Sequence, residues 1–385
     1  MNYFLTEEQE LIRDLARRIA REKVKPVAAE LDENEEFPHE IVQALAASDL
    51  FAVAIPEQYG GLGGGVLELC LVVEELSRAC AGVAVTYAAS FLGSLPLVLG
   101  GSHEQKARFL HDLASGQKLA AFGLTEADAG SDAASIRTTA VRDGDHYVLN
   151  GTKQWITNGG EADVYTIIAL TDKRRGPRGA SAFVVEKGTP GFSFGKKEKK
   201  MGIRCSATRE LVFEDCRIPR ENLLGKEGTG FVLALKTLDR ARPGVGAQSV
   251  GLAQGALDVA LAYSRQRRQF GQAISSFQAI QHKLADMATQ IEAARALVYA
   301  TARTIDSGAK DFARESAMSK LFASDVAMRV TVEAVQVLGG YGYMRDYPAE
   351  KYMRDAKITQ IYEGTNEIQR NVIALSLVRE AASRD

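Results

Sequence analysis

The spacing of apolar residues changes twice along the 385-residue chain, and this change constrains the fold more than any other feature. In the segment 6–24 the apolar residues recur at helical spacing, and Thr6 and Gln9 have the spacing of a capping box. After about residue 120 the chain continues in short, alternating, β-branched segments. After about residue 232 it returns to amphipathic helical patterns that are much longer than an average globular helix.

These patterns predict a multi-domain α+β protein. We expect an all-helical domain over residues 1–120, a β-barrel or β-sandwich domain over residues 121–232, and a helical bundle domain over residues 233–385. Within the β domain, the pair Asn150-Gly151 is typical of a tight hairpin turn, so we expect two strands to be joined there.

Composition excludes several classes of function. A net charge of -2 provides no basic field, so we expect no binding to nucleic acid. The four cysteines form no CxxC pair and the five histidines are isolated, which indicates neither a disulfide framework nor a metal site. The N-terminus lacks the apolar region of a secretory signal, and we expect no membrane-spanning stretch. The expectation is therefore a reduced, cytoplasmic protein.

Two motifs of the middle region offer groups that suit a flat, polar ligand. The stretch "FGLTEADAGSD", residues 122–132, concentrates small residues, hydroxyls and acids, although a solvated loop would have the same composition. In "KQWITNG", residues 153–159, Trp155 can stack on a planar group and Thr157 can donate a hydrogen bond. A lone tryptophan is also common in plain protein cores, so both interpretations stay open.

Two motifs of the C-terminal region suit phosphates or a close backbone approach. In "YSRQRRQFGQ", residues 263–272, three arginines lie close together, as a pyrophosphate site or a solvated charge run would require. In "QVLGGYGYMRDYP", residues 336–348, a glycine pair closes a helix, either as a simple cap or as an approach for a ligand. The chain contains neither GxGxxG after a strand nor a P-loop, so a Rossmann or P-loop nucleotide site is not supported.

The stretch "QIYEGTNEIQR", residues 360–370, places Glu363 between an aromatic residue and a glycine, just before a new helix. An acid at such a break can project from the backbone instead of lying along a solvated helix face. Taken alone, Glu363 is as compatible with a turn as with a catalytic role.

Taken together and in order, these motifs resemble those of the acyl-CoA dehydrogenase family, and short-chain, butyryl-type members in overall texture. The blocks "GLTEADAGSD", "KQWITNG", "RRQFG", "QVLGGYGY" and "RDAKITQIYEGTNEIQR" cover essentially the whole chain. The resemblance implies an FAD enzyme with an N-terminal helical domain, a middle β domain and a C-terminal four-helix bundle. It also implies a homotetramer that passes electrons to electron-transferring flavoprotein.

The resemblance also assigns residues to the two ligands. The residues that it implies for FAD are Phe122, Leu124, Thr125, Gly130, Ser131, Trp155, Ile156, Thr157, Arg267, Phe270, Gln278, Gln336, Val337, Gly339, Gly340, Thr365 and Glu367. The residues that it implies for the acyl-CoA are Ser131, Asp239, Arg242, Tyr362 and Gly364. Part of the FAD set is expected to act across a subunit interface.

Glu363 matches the base of the family, which removes the α proton of the thioester while the β hydrogen leaves as hydride to flavin N5. The expected product is a trans-2-enoyl-CoA. A helix N-terminus lowers the pKa of a carboxyl group, whereas burial raises it, and the sequence does not decide between the two effects.

Some positions depart from the family pattern. Ala127 replaces a common proline, and "LDRAR", residues 238–242, replaces the commoner "LDGGR", so we expect Arg240 and Ala241 to reshape the wall above the thioester. Some family members carry their base at the position of Ala241. Because alanine cannot accept a proton, Glu363 is the sole candidate.

The acyl group is indicated only by residues 82–100, which match the acyl-pocket helix of the family. This stretch has no charge, so a dicarboxylic acyl group would lack a cationic partner and a neutral one is favoured. We expect Tyr87 and Phe91 to shorten the pocket or to shape it for a branched or cyclic group.

Two alternatives remain at this stage. The first is an acyl-CoA oxidase-like flavoprotein that passes electrons to oxygen, although such oxidases are typically longer. The second is a non-catalytic scaffold with the same fold, which would not be yellow.

Overall fold

The computed structural model describes residues 3–383, and the first third of that range is helical. Thr6 caps the first helix, and the predicted capping box with Gln9 is confirmed because each side chain bonds the backbone of the other residue. A short π-helical stretch, Ala20–Val24, continues this helix. The helices are α1 (Glu7–Ile19), α2 (Ala28–Glu33), α3 (His39–Ala46), α4 (Val66–Ala79), α5 (Ala81–Gly100) and α6 (His103–Ala114).

The middle of the chain forms one mixed sheet of eight strands. The strands are β1 (Ala120–Gly123), β2 (Thr139–Asp143), β3 (His146–Thr157), β4 (Val164–Leu170), β5 (Ala180–Glu186), β6 (Phe192–Lys197), β7 (Thr208–Pro219) and β8 (Leu223–Leu224). Their order across the sheet is β6-β7-β3-β2-β4-β5-β8, and β1 pairs in parallel with β4. All seven residues of β4 are buried, so this strand forms the centre of the layer on which α5 packs.

The predicted hairpin turn at Asn150-Gly151 is wrong. Both residues lie inside the continuous strand β3, at a shift in its register with β7. Gly151 has φ 140°, and a Cβ at this position would lie 2.6 Å from the Thr138 hydroxyl, so the glycine serves a β-bulge. Asn150 is held by Asp215 of β7. The turn between β2 and β3 occurs instead at Gly144, with φ 59°.

The rest of the chain is helical again, and its long helices pack on one another and on α4 and α5. The elements are α7 (Gly230–Gln266), a small hairpin of β9 (Arg268–Gln269) and β10 (Gln272–Ala273), α8 (Gln278–Asp306), α9 (Ala313–Leu338), α10 (Ala349–Thr359) and α11 (Asn366–Ala382). Helix α7 approaches α4 so closely that a Cβ at Gly251 would lie 2.2 Å from the Glu74 carbonyl oxygen. The proposed domain boundary near residue 232 falls in the first turn of α7.

Helix α5 departs from the expectation that no stretch could span a membrane. Its 20 residues are long and apolar enough for a membrane span by length and composition alone. However, 72% of the relevant window is buried inside the protein, as in the core helix of a folded domain. The helix has no charged residue because it is covered by α4, α7 and the sheet.

Candidate active site

Glu363 lies in the short segment that joins α10 to α11. Both Glu363 and Gly364 have positive φ, at 52° and 92°, so the chain reverses between the two helices. Thr365 then caps α11 by accepting a hydrogen bond from the backbone N–H of Ile368. The sequence prediction of an acid at a break before a new helix is therefore confirmed in detail.

The Glu363 carboxylate is poorly solvated. The residue is half-buried, but its Oε2 atom has no contact with solvent and no hydrogen-bond partner. Burial raises the pKa of Glu363 to about 7, whereas the nearby charges of Arg242 and Lys320 lower it. Desolvation therefore outweighs the two nearby positive charges, and the pKa lies above its ordinary value. At neutral pH the carboxyl group can both hold and release a proton.

Glu363 faces a cavity of about 370 Å³ between the sheet, α5, α7 and the start of α11. Twelve of the predicted site residues line it, although they are scattered over 240 residues of sequence. They are Phe122, Leu124, Thr125, Gly130, Ser131, Trp155, Ile156, Thr157, Arg242, Tyr362, Glu363 and Gly364. The structure thus brings these twelve residues around one space.

Trp155 forms an exposed wall of this cavity and is not part of the core. Its side chain is 56% exposed, and its φ of 56° turns it out of the regular strand. The adjacent residue Gln154 donates a backbone hydrogen bond to Thr125, at 2.8 Å, which ties the loop after β1 to β3. A Cβ at Gly130 would meet nothing within 4 Å. An exposed aromatic ring, nearby hydroxyls and open space beside a glycine suit a planar ring system such as a flavin.

Lys153 supports the loop that follows β1. It is fully buried, and its Nζ donates to the Leu124 carbonyl at 3.0 Å and to the Glu126 carboxylate at 2.7 Å. Burial lowers the pKa of Lys153 to about 8. Glu126 accepts in turn from the backbone N–H groups of Arg137 and Thr138. This ion pair fixes the loop on the strand that carries Trp155.

Three of the predicted substrate residues, Asp239, Arg242 and Tyr362, make side-chain hydrogen bonds at the site. Arg242 donates to Asp239 at 2.6 Å and, more weakly, to the Glu363 carbonyl at 3.4 Å. Tyr362 donates to the side chain of Gln248, which also lines the cavity. Asp239 does not line the cavity itself, so its contact with Arg242 is its connection to the site.

The two aromatic residues expected to shape the acyl pocket behave differently. Phe91 lines the cavity, but Tyr87 does not, because its hydroxyl donates to the Leu50 carbonyl on the other side of α5. Likewise Ala241 lines the cavity, whereas Arg240 lies over the ring of Phe312. The predictions for Tyr87 and Arg240 are therefore wrong. Both residues make their contacts away from the cavity, because the side of the helix on which a residue lies decides what it can contact.

The remaining predicted FAD residues do not line this cavity within one chain. Phe270 is 93% exposed on the β9–β10 hairpin, and the Arg267 guanidinium lies over the ring of Tyr341. Val337 is buried in the core, so its side chain is not free to bind a ligand. The others occupy the ends of the helices near this hairpin or the start of α11, namely Gln278, Gln336, Gly339, Gly340, Thr365 and Glu367.

Several residues of the site were not identified from the sequence. They are Lys153 and Glu126 below the loop, Gln248 beside Tyr362, and Lys320 and Gln369 around Gly364. One signal could have identified Lys320. On α9 it lies four residues from Ser316 and four from Ser324, so it shares one buried helix face with two small residues. A lysine on such a face needs a specific hydrogen-bond partner, because a buried charge is costly without one. Among residues 3–383 no cluster of His, Cys, Asp or Glu could hold a metal ion.

Comparison with known proteins gives matches along nearly the whole chain. Models of the N-terminal, middle and C-terminal domains of acyl-CoA dehydrogenases match residues 6–117, 121–216 and 228–378. The "Probable acyl-CoA dehydrogenase FadE25" of Mycobacterium tuberculosis is 52% identical over 97% of this chain and 96% of its own length.

Solved structures give the same result. The butyryl-CoA dehydrogenase of Megasphaera elsdenii is 49% identical, with a TM-score of 0.96 over 98% of this chain and all of its own. A chain from a structure described as the electron transferring flavoprotein of Acidaminococcus fermentans is 51% identical, also with a TM-score of 0.96, over 98% of this chain and all of its own.

Proposed function

This chain belongs to the acyl-CoA dehydrogenase family, and we propose that it converts a neutral acyl-CoA thioester into the trans-2-enoyl-CoA with Glu363 as the base. It is a flavoprotein oxidoreductase whose fold has helical N- and C-terminal domains and a middle sheet domain. Its cofactor is FAD. The observation that carries the proposed mechanism is the unpartnered Oε2 of Glu363, which lies on the same cavity as Trp155 and Thr157.

The α C–H of a thioester is a weak acid, so its proton must be taken by a base held close to the carbon. An Oε2 with no partner has a free lone pair for this proton. When bound, FAD supplies the acceptor for the hydride that leaves the β carbon. The pKa of about 7 matches the base to neutral pH, and the neighbouring positive charges of Arg242 and Lys320 favour its ionised form.

The thioester oxygen gathers negative charge as the α proton leaves, and it needs hydrogen-bond donors. The backbone N–H of Glu363 makes no hydrogen bond within residues 3–383, so it is available for this oxygen. Gly364 follows directly and has no side chain to cover the approach. We assign the Glu363 N–H to the thioester oxygen.

The cavity favours a short to medium, uncharged acyl group. Its wall on α5 and α4 is formed by apolar residues, namely Leu69, Val85, Ala88, Ala89, Phe91 and Leu92. A free carboxylate on the acyl chain would be buried there without a partner. The cavity volume of about 370 Å³ lies at the low end for a ligand pocket. Because the cavity must hold both a flavin ring and the acyl chain, the length of the acyl chain is limited.

We propose the remaining properties on the family relationship. The electron acceptor is electron-transferring flavoprotein, and the enzyme works in the cytoplasm. The proposed homotetramer would bring the exposed Phe270 hairpin and the glycines at 339 and 340 to the FAD of a partner subunit. It would also cover the 93% exposed side chain of Phe270.

The test is anaerobic flavin reduction. The FAD-loaded protein is mixed with a panel of acyl-CoAs of increasing length, with branched, cyclic and dicarboxylic examples, and loss of flavin absorbance is recorded. A neutral acyl-CoA of short to medium length should bleach the flavin fastest, and a dicarboxylic one should be inert. Rapid peroxide release on admitting air would favour an oxidase instead.

Glu363→Gln is the decisive variant. It should keep FAD but reduce the bleaching rate by at least ~10²-fold, since a general base contributes about that much or more. Glu40→Gln is the matched control, because Glu40 is an exposed residue of α3 remote from the cavity. If Glu363→Gln bleached as fast as this control, Glu363 would not be the base.

A further inference from the structure

Lys320 of α9 is a fully buried lysine at the active-site segment. Its side chain has no solvent exposure, and its Nζ donates to the Gly364 carbonyl at 2.9 Å and to Asn366 Oδ1 at 2.8 Å. It thus bonds two points of the turn that follows Glu363. Asn366 is fixed from its other side by Ser324 and Asp325.

The turn needs such support because its backbone is strained. A non-glycine residue at positive φ, like Glu363 at 52°, is strained and persists only where neighbouring groups hold it. Gln369 donates to the carbonyl oxygens of Glu363 and Gly364, and Arg242 donates weakly to the Glu363 carbonyl oxygen. Lys320 is the charged donor on the Gly364 carbonyl, directly after the carboxylate-bearing residue.

The charge of Lys320 has no anion among its direct bonding partners. Both of its acceptors are neutral, and burial lowers its pKa to about 8. Of the carboxylates that stabilise its charge, Glu363 has the largest effect, before Asp325 and Glu367. Asp325 is already bonded by Asn366, Gln360 and Arg370, and Glu367 is exposed. The ionised form of Glu363 is therefore the main counter-charge of Lys320.

Two cations on neighbouring helices act on the charge state of Glu363. Arg242 of α7 has the largest lowering effect on the pKa of Glu363, and Lys320 of α9 the next. The guanidinium of Arg242 is paired with Asp239 of the same helix, so it is tied to another anion. Tyr362, the neighbour in the turn, is a neutral phenol whose pKa is raised by burial.

We propose that Lys320 is a positioning residue for the reaction, which orients Glu363 through the Gly364 carbonyl and favours its ionised form through a buried positive charge. This inference rests on the proposed function, since it assumes that Glu363 is the base. The two roles are separable. The hydrogen bond sets the geometry and therefore the maximal rate, whereas the charge sets the pH at which the base becomes ionised.

Three substitutions separate these roles, with flavin bleaching by acyl-CoA measured against pH. Lys320→Gln keeps a donor for Gly364 without the charge, so the apparent pKa of the base should rise by about one unit or more while the plateau rate at high pH stays near native. Lys320→Met removes both, so the plateau should also fall. Lys320→Arg keeps the charge and should restore the native pH profile.

Thr331→Ala is the matched control. It removes a buried hydroxyl of α9, which donates to the Ala327 and Met328 carbonyls of the same helix, without altering charge, and its pH profile should equal that of the native enzyme. In a Glu363→Gln background, Lys320→Met should cause no further loss of rate. An unchanged profile in Lys320→Gln, or an equal loss from Lys320→Met with and without Glu363, would overturn the inference.

Failure of the two proposals would look different. If Glu363→Gln retained native activity, the proposed function itself would fail. If Glu363→Gln were inactive but Lys320→Gln left the profile unchanged, Glu363 would remain the base without help from Lys320.

A second measurement does not require a Lys320 variant to fold. Without the Glu363 charge, the pKa of the buried Lys320 should fall further, so its proton is lost nearer neutrality. The unfolded chain then binds more protons, and stability rises with pH. The melting temperature of Glu363→Gln should therefore rise more than that of the native protein between about pH 7.5 and about pH 9. Parallel curves would contradict the pairing.

Discussion

Replacing Glu363 by glutamine should stabilise the folded protein while it slows the reaction. Burial raises the pKa of Glu363 from about 4.5 to about 7. Because each pKa unit corresponds to ~1.4 kcal/mol, keeping the carboxylate ionised in its site costs roughly 3 kcal/mol of folding free energy. Glutamine has the same shape and no charge, so it avoids this cost.

The sign and pH window follow from the direction of the shift. The folded state holds the proton up to about pH 7, whereas the unfolded chain releases it near pH 4.5. The stability contribution of Glu363 is thus present below about pH 4.5 and is lost as the pH rises to about 7. The advantage of the glutamine variant should be roughly 3 kcal/mol at about pH 7.5 and about 1 kcal/mol or less at about pH 5.

Differential scanning calorimetry of the FAD-loaded protein at the two pH values measures this difference. For a chain of 385 residues, an unfolding entropy of about 2.1 cal/mol/K per residue makes 3 kcal/mol equivalent to about 4 °C. Glu40→Gln, on the exposed face of α3, should show no comparable gain at either pH. If the gain were the same at both pH values, or absent at about pH 7.5, the carboxylate would be solvated and the reasoning refuted.

Three further perturbations test other parts of the site. Gly364→Ala should destabilise the protein by about 1–3 kcal/mol in thermal unfolding and slow flavin bleaching at least ~10-fold. The reason is that Gly364 has a φ of 92° and that the new Cβ would lie 2.7 Å from the Gln369 amide nitrogen. Lys153→Met removes the cation paired with the buried Glu126 carboxylate, so it should lower stability by about 3–5 kcal/mol. It should also release FAD, which flavin fluorescence measures. A stable variant that stays fully yellow would contradict this prediction. Phe91→Ala removes a ring from the cavity wall and enlarges the cavity, so the bleaching assay should show a preference for longer acyl chains. An unchanged preference would show that Phe91 does not limit the length of the acyl chain.

Sequence patterns predicted those features of the fold that depend on interactions between residues close in the chain. The capping box of Thr6 and Gln9 was predictable because its two residues are three apart and satisfy each other. The pair Asn150-Gly151 misled because a glycine that a hairpin turn would use also serves a β-bulge, and the choice depends on β7, more than 50 residues away. Tyr87 misled because periodicity does not say which side of a largely buried, apolar helix faces a ligand.

The amino-acid sequence by itself determined the order of helical and sheet regions, the family resemblance and the position of Glu363 at a break before a helix. Each of these is written in residue types and short spacings. Only the tertiary structure decided the chemistry of that carboxylate. Its raised pKa arises from burial by distant segments, and the charges of Arg242 and Lys320 reach it from helices that lie 121 and 43 residues earlier in the chain. Desolvation and charge pairing are properties of the packed site, so no local pattern could reveal them.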